Sequence, residues 1–255
     1  MIDLTVALPT FNNKNILWLQ LESLIKQITT FDWELIVCEE QTKNMFGESS
    51  LLKYKERLQS VNCVKLKYIP LKNHIPLSKK WHIIAEAAEG YTFTFCASDD
   101  YSSPNRLEIS HKYICDGYDW FDVKKALFLN LNSFNTATYI DETGWQGTTM
   151  STQTNLMRDL NGPWPSSIVD KWIKSKIVIK NHYQHPNNLL GLHTDGANLI
   201  SLNRWTLYPD GENRVKFISP FSDPEQQIED ILPADVIKKL KDRFLKKKDF
   251  DINIR

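Results

Sequence analysis

Four short apolar runs, each followed by a segment of helical spacing, constrain this chain more than any other feature. Leu4 to Leu8 reads as a strand stopped by Pro9, and Asn12 and Asn13 then offer an N-cap to a helix with Leu17, Leu21, Leu24 and Ile28 on one face. Glu34 to Cys38 is a second buried strand, ending in Glu39 and Glu40. Ser49 and Ser50 offer a cap to a helix running to Leu58, and Val64 to Ile69 alternates with period two, as a half-exposed strand does. Ser78 then offers a cap to a helix with Trp81, Ile84, Ala85 and Ala88 on one face, ended by Gly90. Tyr91 to Cys96 is the next strand, and Pro104 opens a helix to Cys115. This alternation predicts an α/β fold, an open sheet with helices on both faces.

Beyond residue 116 the pattern loosens. Ala126 to Asn132 is strand-like, Ser166 to Lys176 is a helix candidate, and the tail from Pro224 reads as two helices broken at Pro233. The chain's 255 residues, 42% hydrophobic and 24% charged, suffice for a sizeable core and exclude disordered, collagen-like and coiled-coil classes. The formal net charge is zero, so there is no overall field drawing the chain onto nucleic acid or anionic membrane. No stretch approaches the roughly 18 apolar residues of a membrane span. Cys38, Cys63, Cys96 and Cys115 are widely spaced, which suits free thiols and a cytoplasmic location.

Several chemistries are absent from the sequence. The chain has nine glycines and neither G-x-G-x-x-G nor a P-loop, and it lacks G-x-S-x-G and H-E-x-x-H. His182 and His185 stand three apart, as on one helical face, but no third ligand accompanies them. What remains is a set of polar and acidic residues at three strand ends: Thr10 to Asn12, Glu39 with Glu40, and Ser98 to Asp100. In open α/β sheets, ligands bind outside the carboxyl ends of the strands.

Those residues carry a resemblance. LTVALPTFNN, ELIVCEEQT and the block from Asn73 to Leu107 resemble the nucleotide-sugar-binding half of the family 2 glycosyltransferases, which have the GT-A fold. Pro9-Thr10-Phe11-Asn12 matches the family's P-T-Y-N, and Glu39-Glu40 stands where it has D-D. Ala97-Ser98-Asp99-Asp100 stands where it has D-x-D-D, so the first acid of that motif is missing. The resemblance implies a GT-A-like open mixed sheet with a nucleotide-sugar-binding half over 1–115, an acceptor-binding half over 116–223, and C-terminal helices with a basic tail over 224–255.

It also implies a hexosyl- or pentosyltransferase that moves a sugar from a nucleotide donor, UDP-linked, to an acceptor hydroxyl with Mn²⁺ or Mg²⁺. A nucleoside diphosphate leaves with two or more negative charges, and a divalent cation on one or two carboxylates neutralises them. Asp99 and Asp100 are the expected metal ligands. Pro9, Thr10, Phe11, Asn12 and Ser98 are expected at the nucleotide, with Glu39 or Glu40 accepting the uracil imide N–H. Lys79 and Lys80 are expected near the diphosphate. Family members often carry their catalytic base in an E-D pair, here Glu229-Asp230, so Asp230 is the expected base, with Asp195 and Asp170 as rivals.

The acceptor expected first is a glycan. The alternative is DNA with hydroxymethylated bases, supported by Lys171, Lys174, Lys176, Lys180 and the cluster Lys238 to Lys248 interleaved with Trp164, Trp172 and Tyr183. A nucleotidyltransferase and a non-catalytic nucleotide-sugar-binding module stay open as other classes.

Overall fold

The computed structural model describes residues 1–131, 136–140, 149–165, 169–186, 192–195, 216–218 and 231–245. The first half runs β1 (Leu4–Thr10), α1 (Leu17–Leu24), β2 (Trp33–Glu40), α2 (Glu48–Leu52), α3 (Lys55–Gln59), β3 (Cys63–Leu71), α4 (Leu77–Ala87), β4 (Thr92–Phe95), β5 (Asp100–Tyr101) and α5 (Arg106–Cys115). The rest runs β6 (Trp120–Val123), β7 (Lys125–Asn130), β8 (Thr136–Ile140), β9 (Ser151–Gln153), α6 (Thr154–Arg158), α7 (Val169–Lys176), β10 (His182–His185), β11 (Leu192–Asp195), β12 (Lys216–Ile218) and α8 (Ala234–Phe244).

The main sheet has seven strands in the order β10-β6-β9-β4-β1-β2-β3. Its pairs are parallel except where β9 lies antiparallel between β4 and β6. The sheet is therefore mixed, and strands from beyond residue 115 complete it. A second sheet, β12-β8-β7-β11-β5, starts from the two residues Asp100 and Tyr101.

Period-two alternation sorts the apolar residues into two layers. Leu4, Val6 and Leu8 with Trp33, Leu35 and Val37 meet Leu17, Leu21, Leu24, Leu51, Leu58 and Leu107 of the helices on one face. Ala7, Ile36, Phe93 and Phe95 meet Trp81, Ile84, Ala85, Met157 and Ile173 on the other. Each buried Val, Leu, Ile, Phe or Met among them contributes about 1.5–3 kcal/mol of transfer free energy. Cys38, Cys63 and Cys96 are buried free thiols and Cys115 is exposed.

Several local expectations change. β1 runs through Pro9, because its pairing with β4 ends at Ala7, whose carbonyl takes the Cys96 N–H. Pro9 lies two residues on, on that same unpaired side, so its missing N–H removes no ladder bond. Neither Asn12 nor Asn13 caps α1 by side chain, and the helix ends at Leu24, leaving Ile28 exposed. Ser78 lies inside α4 after Pro76 and donates from Oγ to the Pro165 carbonyl at 2.7 Å. The helix expected over 49–58 is two short ones, α2 entering from Gly47 at φ 79°. His182 and His185 lie on a strand, not a helix, so they point to opposite faces. The first of the two tail helices expected from Pro224 lies largely outside the described residues.

Candidate functional site

Parallel pairing brings the carboxyl ends of β1, β2 and β4 to one edge, with Thr10 in register with Glu39. The chain leaves β4 at Phe95, turns through Ala97, Ser98 and Asp99, and enters the second sheet at Asp100. Asp99 and Asp100 thus sit at the handover between the sheets, 3% and 0% exposed. Arg106, at the start of α5, braces this turn from behind. Its buried guanidinium donates from Nη1 to Ser102 Oγ at 2.9 Å and from Nη2 to the Phe95 carbonyl.

The loop after β1 is tied to the same turn. Asn13 is buried and its Nδ2 donates to Ser98 Oγ, joining the first and third strand ends. Asn12 adopts φ 57°, a left-handed conformation that asparagine tolerates, and its Oδ1 accepts the Thr42 hydroxyl at 2.6 Å. Thr10 is buried with its Oγ1 lacking a hydrogen-bond partner, and Phe11 stands exposed.

The two glutamates at the end of β2 are both buried and internally engaged. Glu39 accepts the backbone N–H of Phe46 and of Gly47, each at 2.8 Å, and the Tyr68 hydroxyl at 2.9 Å. Burial, and then this carboxylate, push the Tyr68 phenol well up. Glu39 therefore fixes the entry to α2. Glu40 pairs with Lys80 Nζ at 2.5 Å and with His74 Nδ1 at 2.9 Å. Burial pushes the Glu40 carboxyl up, but the hydrogen bonds from Lys80 and His74 outweigh it and hold the group below its ordinary value. Lys80 Nζ also donates to the Thr10 carbonyl at 3.4 Å, while Lys79 is exposed.

A strand-end site of this kind invites comparison with known proteins. The sequence model of Glycosyl transferase family 2 matches residues 5–126. Over that segment the chain resembles the family 2 glycosyltransferases. Solved structures share the fold of this chain: S. aureus TarS 1-349 in complex with UDP aligns at 19% identity and TM-score 0.58, over 76% of this chain and 60% of its own. The mannosyltransferase PcManGT from Pyrobaculum calidifontis, in complex with GDP-Man and Mn²⁺, aligns at 13% identity and TM-score 0.58, over 79% of this chain and 59% of its own. The chain thus spans about three fifths of each of these structures. No curated protein sequence matches it significantly.

Among the described residues, no group of three or more His, Cys, Asp or Glu side chains gathers as a cation site. Asp99 and Asp100 supply hard oxygen donors from one turn, and such a pair fits a divalent cation that draws its other ligands from a diphosphate and water. Of the expected bases, Asp230 lies outside the described residues. Asp195 lies on β11, two residues beyond His193, which is in register with Asp100. Asp170 lies on α7, and the side chains of both are outside the description.

Sequence reasoning passed over Asn13 as a bridge, His74 and Arg106. Arg106 follows Pro104 at fixed spacing and was open to notice; His74 sits in an irregular loop with no periodicity to mark it. It also passed over Asp122, buried on β6, which accepts from Trp120 Nε1 and His182 Nε2 at 3.0 Å each, with Lys174 Nζ 3.8 Å away.

Proposed function

We propose that the protein transfers a sugar from a UDP-linked donor, with Mn²⁺ or Mg²⁺, onto an acceptor hydroxyl of a glycan. The observation that carries this reading is the turn Ser98-Asp99-Asp100, buried at the junction of two sheets and bound through Asn13 to the loop after β1. That bond holds the loop meant for the nucleoside against the acids meant for the diphosphate. Asp99 and Asp100 would hold the cation, which when bound neutralises the charge growing on the departing diphosphate. Phe11 offers an exposed ring for the base. The remaining task, taking the proton from the attacking hydroxyl, falls to Asp230, with Asp195 as its rival. The UDP and Mn²⁺ seen with the two structural neighbours support the donor class and the cation.

Two of the lysines that favour a DNA acceptor point inward. Lys174 faces the buried Asp122, and Lys239 Nζ lies 3.9 Å from the centre of the Trp18 ring. With zero net charge as well, a neutral acceptor suits the chain better. Calorimetry with UDP and Mn²⁺ tests the reading. The parent binds in a metal-dependent way and Asp99→Asn does not, because the amide removes the charged ligand; equal binding by the variant refutes the assignment of the cation to this turn.

A further inference from the structure

At the nucleoside end of this surface two exposed rings meet, while the β2 acids are buried. Phe11 is 40% exposed and the His74 side chain 71%, with ring centroids 5.1 Å apart and planes inclined at 51°. Beneath them Glu39 is sealed by its loop, and Glu40 is closed off by Lys80, whose side chain is 5% exposed. Lys80 Nζ lies 5.3 Å from the Phe11 ring centre but is already tied to Glu40 and the Thr10 carbonyl. Of the two rings in contact here, His74 is the one with hydrogen-bonding capacity.

The state of that imidazole follows from its partner. Ionised Glu40 only accepts, so the 2.9 Å contact is donated by His74 Nδ1. In the neutral ring the other nitrogen, Nε2, then carries a lone pair. A uracil ring lying on Phe11 presents an imide N3–H, which needs such an acceptor, whereas cytosine presents a lone pair at N3 and meets acceptor with acceptor.

We propose that His74 Nε2, set in its acceptor form by Glu40, reads the imide of the donor base and so selects uracil over cytosine. This rests on the reading of the site as one for a UDP-linked donor, and it moves base recognition from the β2 acids to a loop residue between β3 and α4.

The test is calorimetry of the full chain with UDP and with CDP in Mn²⁺. The parent is expected to favour UDP by about tenfold, the size of one well-placed hydrogen bond set against a mismatched one. His74→Ala is expected to lose that preference by weakening UDP while leaving CDP nearly unchanged. His74→Gln, whose amide carbonyl accepts, is expected to recover part of it. Because the His74 side chain is largely exposed, both variants should keep a single cooperative unfolding transition, which serves as the folding control. If His74→Ala keeps the parent's UDP-to-CDP ratio, the role of His74 is overturned while the donor reading stands. If the parent binds neither nucleotide, the donor reading falls and His74 falls with it.

Discussion

Burial by itself raises the pKa of a carboxyl, yet Glu40 is held below its ordinary value of 4.5 because Lys80 and His74 bond to the charged form. A carboxyl whose folded pKa lies below its unfolded value gives stability that is present above the unfolded pKa and is lost as pH falls through the folded one. Unfolding free energy is therefore expected to decline below about pH 4.5, and Glu40→Gln should flatten that part of the curve. At neutral pH the same variant leaves Lys80 buried without its counter-charge, a loss of roughly 3 kcal/mol or more. Urea unfolding of parent and variant from acid to neutral pH reads both effects, and identical pH slopes would show that the pair is not the cause. Gly90 gives a second lesson at this scale. The sequence marks it only as the end of a helix. In the structure, a Cβ on Gly90 would lie 2.4 Å from the Leu4 carbonyl carbon, and its N–H donates to Thr5 Oγ1 and Glu34 Oε1, each at 3.0 Å. The residue was legible, but its reason was not, because the close approach joins segments about 85 positions apart.

Among the elements, α8 has the most consequence for the site although it lies outside the matched 5–126. Val236, Ile237 and Leu240 bury its apolar face in one cluster with Ile16, Trp18 and Leu19 of the entry to α1. Arg243 Nη1 donates to the Asn15 carbonyl at 2.7 Å, and Lys239 and Arg243 both cover the Trp18 ring. The helix thus fastens the far end of the loop that carries Asn12 and Asn13. Leu240→Ala is expected to cost about 2–5 kcal/mol as a buried truncation and to speed hydrogen exchange at the amides of residues 11–17. Exchange there at the parent's rate, with stability lowered, would confine α8 to a packing role. Its amphipathic spacing was readable from Val236, Leu240 and Phe244, as were β1, β2 and β4 from their apolar runs. The antiparallel insertion of β9 was not. Ser151, Thr152 and Gln153 carry no apolar pattern, and their place between β4 and β6 is set by pairing across some 60 and some 30 residues respectively.

At the scale of the whole molecule, the segments before and after residue 115 share their framework. β9 ties the second half into the main sheet, and β11 pairs with β5, where Asp100 lies. The C-terminal segment closes on the same place, for Leu232 is buried in one cluster with Tyr101, the neighbour of Asp100. Asp230 stands two residues before Leu232 in sequence. Asp195 lies on β11, the strand that pairs with β5. Asp230 and Asp195 are the two proposed bases, and kinetics separates them. If Asp230 is the base, Asp230→Asn lowers turnover by roughly 10²–10⁴ and leaves UDP affinity unchanged, since the base acts on the acceptor hydroxyl and not on the donor. Asp195→Asn then keeps turnover within a few-fold of the parent. The opposite pattern, near-parent turnover in Asp230→Asn and collapse in Asp195→Asn, transfers the role to the second sheet. Steady-state transfer assays paired with UDP calorimetry on each variant decide between them.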